Sequence, residues 1–146
     1  MLRFPHTSAR QLALATALLT ASAQADIGEC PQPRFTDRAP DAYLTKVNPV
    51  APGTDLSAAR ARYLGEGGVS CATCHGEKGD GNGVLASQFD PPPRNFRCAK
   101  TINDVPDGQV FWVIRYGSGD TAMPAHSKLS ERETWELVAY LRQLAR

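Results

Sequence analysis

Cys71-Ala72-Thr73-Cys74-His75 decides how the rest of the chain is read. Two cysteines three positions apart share one face of a helical turn, and a histidine follows directly. This is the C-x-x-C-H signature of covalent haem attachment. Thioethers from Cys71 and Cys74 would meet the two vinyl groups on one porphyrin edge, and His75 would sit under the iron and bind it through Nε2. Two other chemistries use such a pair. A thioredoxin-like dithiol belongs in a βαβ setting, and the chain has no period-2 strand pattern of useful length. A structural zinc site takes four Cys or His ligands in paired clusters, and the remaining candidates, Cys30, Cys98 and His126, are scattered. One covalently bound haem c is the expectation that fits best.

Working outward, the flanks read as helix and loop. A helix is expected from Thr54 or Asp55, either of which can serve as N-cap after Pro52-Gly53. Leu56, Ala59, Tyr63 and Leu64 give it one apolar face, and Gly65, Gly67 and Gly68 end it. After the motif come Gly76, Gly79, Gly81 and Gly83, a short apolar turn over 84–89, and the helix-breaking Pro91-Pro92-Pro93. Another helix is expected after Asp107, with Val110, Phe111, Val113 and Ile114 on its apolar face and Gly117 and Gly119 as its stop. Ser130 and Glu133 form a capping box for a last helix. Its stripe is Leu137, Tyr140, Leu141 and Leu144.

Residues 1–25 read as a cleaved secretory signal. Arg3 and Arg10 make a basic start, 12–21 is an apolar run, and Ala23-Gln24-Ala25 is a cleavage site. That run is too short to span a bilayer, which takes about 20 apolar residues. Residues 26–53, interrupted by Pro31, Pro33, Pro40, Pro49 and Pro52, form a proline-rich arm expected to lie extended on the surface of the domain at 54–146. The chain carries 16 basic and 15 acidic side chains; losing Arg3 and Arg10 with the signal leaves 14 against 15. A nucleic-acid partner calls for a basic surplus, so that class is set aside. No stable membrane insertion is expected after signal cleavage, and export places the protein in the periplasm.

After cleavage Met123 is the single methionine, and His126 the single histidine besides His75. Met123 lies in the glycine-rich run Gly117-Ser118-Gly119-Asp120-Thr121-Ala122-Met123-Pro124, which is able to wrap the far face of a haem. Met123 is the expected distal iron ligand, with His126 or an open, water-bound position as alternatives. His126 otherwise reads as a solvated loop residue. Cys30 and Cys98 are the cysteines left over, and in an oxidising compartment they are expected to form a disulfide pinning the arm.

Residues 56–144 resemble a class I (monohaem) cytochrome c, on the strength of the helix before Cys71-x-x-Cys74-His75, the glycine-rich turn, Thr121-Ala122-Met123-Pro124 and the aromatic last helix with Trp135 and Tyr140. Pro91-Pro92-Pro93-Arg94-Asn95-Phe96 is similar to the proline–arginine loop in the haem c subunits of bacterial haem–copper oxidases. The resemblance implies an all-α fold of three to five short helices around one covalently bound haem. It implies that a carbonyl of Pro91, Pro92 or Pro93 accepts the Nδ1–H of His75. It also implies that the first and last helices cross, through Ala59 and Tyr63 on one side and Leu137, Tyr140 and Leu141 on the other. The arm and the two extra cysteines depart from the family pattern. So does the lysine content, Lys46, Lys78, Lys100 and Lys128 alone, which argues against strong electrostatic steering.

The function this implies is periplasmic electron transfer between redox protein partners, a donor and an acceptor. A haem c subunit permanently docked in a larger respiratory complex is the alternative, and a haem enzyme or gas sensor with an open iron site a more distant one. Val69, Leu85, Phe96, Ile102, Val110, Phe111, Ile114 and Trp135 are candidates for the haem wall, and Arg94, Trp112 and Arg115 for propionate contacts.

Overall fold

A computed structural model describes residues 28–68 and 70–145. The expected signal over 1–25, and Val69 among the candidate wall residues, lie outside the described residues. Within them the fold is all-α. Six α-helices follow in order: α1 Asp41–Leu44, α2 Ser57–Leu64, α3 Ala72–His75, α4 Ala99–Ile102, α5 Asp107–Tyr116 and α6 Glu131–Leu144, with a 3-10 turn at Ala86–Gln88. That exceeds the expected three to five because α1 and α4 are single turns of four residues each. One turn is too short to show an apolar period, so neither is visible as a helix in the sequence.

α6 organises the core. Its N-terminus is the expected capping box: Ser130 Oγ accepts from the Glu133 N–H at 3.2 Å, and Glu133 Oε2 accepts from the Ser130 N–H at 2.8 Å. α2 packs across it as anticipated. Ala59, Tyr63, Leu137, Tyr140 and Leu141 are all buried, and the Tyr63 and Tyr140 rings stand 5.4 Å apart. The start of α2 differs from expectation: it begins at Ser57, after an N-cap at Leu56 that has no capping side chain. Asp55 still does the capping chemistry from one position earlier, its carboxylate accepting from Ser57 N at 2.9 Å and from Ser57 Oγ at 3.0 Å.

α5 lies against the other side of α6, where Phe111 stacks on Trp135 at 4.3 Å. Arg142 near the end of α6 ties the opposite end of this pair. It forms a 2.7 Å ion pair with Asp107 and donates to the carbonyls of Ile102 and Val105. α1 then packs on α5, with Tyr43 stacked on Phe111 at 6.2 Å. The approach is close enough that a Cβ on Gly108 would stand 1.7 Å from the Tyr43 carbonyl oxygen, so only glycine fits there.

The arm is thus built into the structure as well as lying over its surface. Cys30 and Cys98 form the expected disulfide, with Cα atoms 5.5 Å apart and a sequence separation of 68. Gln109 of α5, 2% exposed, clasps the arm with both ends of its amide: Oε1 accepts from Ala39 N at 2.8 Å and Nε2 donates to Asp37 O at 2.9 Å. By chain entropy a bridge over such a loop stabilises by about 4 kcal/mol, and each added hydrogen bond by about 1 kcal/mol. The Cys30→Ser variant is therefore expected to unfold at lower denaturant, by the equivalent of about 2–4 kcal/mol, with faster tryptic cleavage at Arg34 and Arg38. A denaturant midpoint and a cleavage rate equal to wild type would mean that the disulfide does not order the arm.

Candidate functional site

Four residues cannot hold a helix by themselves, because nucleation costs more than one turn returns. α3 is held by what surrounds it. Its last carbonyls, the groups a helix leaves without internal partners, are taken up by the glycine-rich return. Leu85 N donates to Thr73 O at 3.1 Å, Gly83 N to Cys74 O at 3.0 Å and Gly81 N to His75 O at 2.9 Å. The return must run close to α3 to make these bonds. A Cβ on Gly83 would stand 2.3 Å from Thr73 O and 2.6 Å from Ala72 O. From the other side, the Tyr63 hydroxyl of α2 donates to Gly76 O at 2.7 Å.

This frame places Cys71, Cys74 and His75 along one wall of a cavity. Cys71 and Cys74 are free thiols. Burial pushes Cys71 up to about 11 and raises Cys74 as well, so both stay protonated at neutral pH. His75 is buried, and burial pushes it down to about 4, which keeps the ring neutral. Its Nδ1 lies 2.9 Å from the Arg94 carbonyl. A carbonyl only accepts, so Nδ1 carries the proton and the lone pair resides on Nε2, the nitrogen a metal would use. Phe96 stacks on the ring at 4.5 Å and restricts its rotation.

The acceptor for His75 corrects an expectation. It is the carbonyl of Arg94, not of Pro91, Pro92 or Pro93. The reason lies in the arm. The Pro93 carbonyl is taken by Gln32 Nε2 at 3.1 Å, and Asn95 N is anchored on Gln32 Oε1 at 2.6 Å. The peptide between them is left to face the imidazole. Arg94 itself lines the cavity, while its Nη1 donates to Pro33 O at 3.0 Å and Gln32 O at 3.4 Å, so this guanidinium nitrogen holds the arm.

Met123 reaches the cavity from the loop after α5. Ser118 N donates to Met123 O at 3.1 Å and Met123 N donates to Thr121 Oγ1 at 3.2 Å. His126 N donates to Ile114 O at 3.0 Å, folding the loop back over α5. The cavity has two adjoining chambers of about 920 and 970 Å³, open mouths included. Gln32, Thr36, His75, Arg94 and Met123 line both chambers, so His75 and Met123 stand where the two meet.

Other expectations divide. Phe96, Ile102, Val110 and Ile114 line the second chamber. Leu85, Phe111 and Trp135 do not line either; Phe111 and Trp135 stack on each other in the core between α5 and α6. Trp112 and Arg115 do not line the chambers either: Trp112 rests against Tyr116 at 6.1 Å, and Arg115 donates to the Leu129 carbonyl. His126 is half-buried beside Met123 in the first chamber, where burial lowers its pKa, so it is not the solvated residue expected. Sequence reading missed Gln32, Thr36, Phe35 and Gln109, because the arm and the polar residues that clasp it carry no motif.

The lining fits a large, flat, mostly apolar cofactor with a few polar edges. Two thiols and a neutral imidazole stand on one wall, a thioether enters by the meeting of the chambers, and aliphatic side chains line part of the second chamber. Ser118 Oγ, buried along the first chamber, has no hydrogen-bond partner among the described residues and so retains capacity for a polar group. The zinc alternative has lost its ligands, since Cys30 and Cys98 are bonded to each other.

Residues 56–141 match the family described as cytochrome c oxidase, cbb3-type, subunit III. The chain belongs to this family. It is a c-type cytochrome domain, and with that come a haem cofactor and electron transfer through it. No curated protein matches the chain. Among solved structures it is similar to a chain of the reducing HAO-like protein complex of Kuenenia stuttgartiensis, at 26% identity and a TM-score of 0.57. The match covers 70% of this cytochrome and 49% of that chain, so this cytochrome spans about half its relative's length. Gly83→Ala is expected to push the return away from α3, lowering both haem incorporation during expression and the thermal midpoint. Haem content and Tm equal to wild type would show that the return does not position the motif.

Proposed function

We propose that this cytochrome is a periplasmic electron carrier with one covalently bound haem c. In this reading Cys71 and Cys74 are the thioether residues, His75 is the proximal iron ligand and Met123 the distal one. The observation that carries the reading is the common cavity lined by Cys71, Cys74, His75 and Met123, with His75 already in the tautomer that leaves Nε2 for iron. When bound, the haem supplies a one-electron Fe(II)/Fe(III) couple. The chain's own work is to fix that couple in place and to set its potential. Cys71 and Cys74 hold it covalently, so it is retained in a small domain. Arg94 O orients His75 and raises its donor strength. The loop bonds at Ser118 and Thr121 hold Met123 at the cavity that His75 also lines, and Ile102, Val105, Val110, Val113, Ile114 and Leu141 would give the haem an apolar side in the second chamber. Thioether ligation and an apolar surrounding both raise the potential.

The signal-like residues 1–25 support export to the periplasm. Among the described residues no helix is long and apolar enough to cross a membrane. A second reading, a haem c subunit docked in a larger respiratory complex, is supported by the oxidase-subunit family and by a structural relative that is itself part of a complex. An open iron site, as in a gas sensor or haem enzyme, loses support from Met123, which lines both chambers with His75.

Protein expressed with periplasmic haem attachment is expected to show an intact mass that includes one haem and lacks residues 1–25. The Met123→Ala variant is expected to keep its haem, lose the weak near-red ferric band of methionine ligation, and show a lower midpoint potential. A mass without haem would overturn the whole reading. A variant whose ferric and ferrous spectra match wild type would remove Met123 as ligand.

A further inference from the structure

The arm residue Gln32 lies outside the family-matched segment 56–141 and is buried at 9% exposure. Both ends of its amide bond the haem loop on either side of Arg94. Nε2 donates to Pro93 O at 3.1 Å and Oε1 accepts from Asn95 N at 2.6 Å. The backbone of Gln32 is fixed in turn, its N–H donating to Thr101 Oγ1 at 3.0 Å. The Asn95 N–H and the Arg94 C=O belong to one peptide group, and that carbonyl accepts from His75 Nδ1 at 2.9 Å. A continuous chain of hydrogen bonds therefore runs from Gln32 Oε1, through a single peptide, to the imidazole of His75.

We infer that Gln32 is a positioning residue that tunes the haem potential through the Arg94–Asn95 peptide and His75, an inference that rests on His75 being the iron ligand. Accepting from the peptide N–H polarises the peptide and makes its carbonyl a stronger acceptor. A stronger acceptor at Nδ1–H increases the donor strength of Nε2, which favours the oxidised iron and lowers the potential. The geometry adds to this. With Pro93 O and Asn95 N both held, the carbonyl between them cannot swing away from the ring. A domain lacking the arm would need another means of holding this peptide.

The test is spectroelectrochemical titration of the holoprotein, with hydrogen exchange at the Asn95 amide as a readout independent of the haem. Gln32→Met keeps the length of the side chain and removes both hydrogen bonds, while the Cys30–Cys98 disulfide still retains the arm. The expected result is a low-spin spectrum like wild type, a midpoint shifted upward and faster exchange at Asn95. Gln32→Glu keeps an oxygen for Asn95 N–H, so its midpoint is expected not to rise. A purely structural role gives the opposite sign. A loosened arm admits water and lowers the midpoint, the direction expected of Cys30→Ser. A wild-type low-spin spectrum together with an unmoved or lowered Gln32→Met midpoint would overturn this inference alone, as would a rise in Gln32→Glu equal to that in Gln32→Met. A wild-type haem without histidine ligation would overturn the ligand reading and this inference with it.

Discussion

The hydrogen bond from His75 Nδ1 to the Arg94 carbonyl, 2.9 Å long, ties the haem-motif turn to the loop that faces it, which also donates from Phe96 N to Gly79 O at 2.7 Å. On one side is α3, a single turn whose carbonyls are taken up by the glycine-rich return. On the other is the proline–arginine loop, held by the arm. The bond sets the tautomer of the imidazole, and the tautomer decides which nitrogen is available to a metal. Without it the ring loses the bond that fixes both its rotation and its tautomer. Phe96 limits the same rotation by stacking, but a stacked ring does not choose between the two nitrogens.

The arm holds that loop from one side, while the return holds it from the other, Phe96 N and Arg97 N donating to Gly79 O at 2.7 and 3.3 Å. Three buried amides, each bonded to backbone, tie the arm to the domain. Gln32 holds Pro93 and Asn95, Gln109 holds Asp37 and Ala39, and Asn95 Nδ2 holds Gly28 O at 3.0 Å. A proline-rich segment has few N–H donors for regular structure, so side-chain amides from the domain and the arm satisfy its polar groups instead. The Cys30–Cys98 disulfide anchors the same segment covalently next to α4. Burying polar amides is favourable only when both ends are bonded, and here both ends of Gln32 and of Gln109 are.

How much of this was legible in the sequence follows from range. Cys71-x-x-Cys74-His75 is local, and its spacing carries its chemistry whatever the rest of the chain does. The capping box at Ser130 and Glu133 and the stripe of α6 are likewise local, and the structure has them where the sequence put them. The pairing of Cys30 with Cys98 was reachable by elimination. The Gln32 and Gln109 clasps were not, because a buried glutamine and a solvated one look alike in sequence. The wrong acceptor for His75 has the same origin: the family resemblance implies a carbonyl of the proline loop, but which one faces the ring is fixed by Gln32, 61 to 63 residues away. Phe111 and Trp135, expected on the haem wall, are apolar and buried, yet they serve the helix–helix core and not the cavity. Apolarity predicts burial; it does not say which of two adjacent interiors a side chain joins.

We propose that the meeting of the two chambers is the haem site and that His75 and Met123 would be the ligands of its iron. The proton NMR spectrum of the ferrous holoprotein tests it most directly, because a methyl group bound over the face of a porphyrin is moved far upfield by the ring current. The account predicts one such methyl signal, belonging to Met123 and absent from Met123→Ala. A ferrous wild-type spectrum without an upfield methyl, or one whose upfield methyl persists in Met123→Ala, would contradict it.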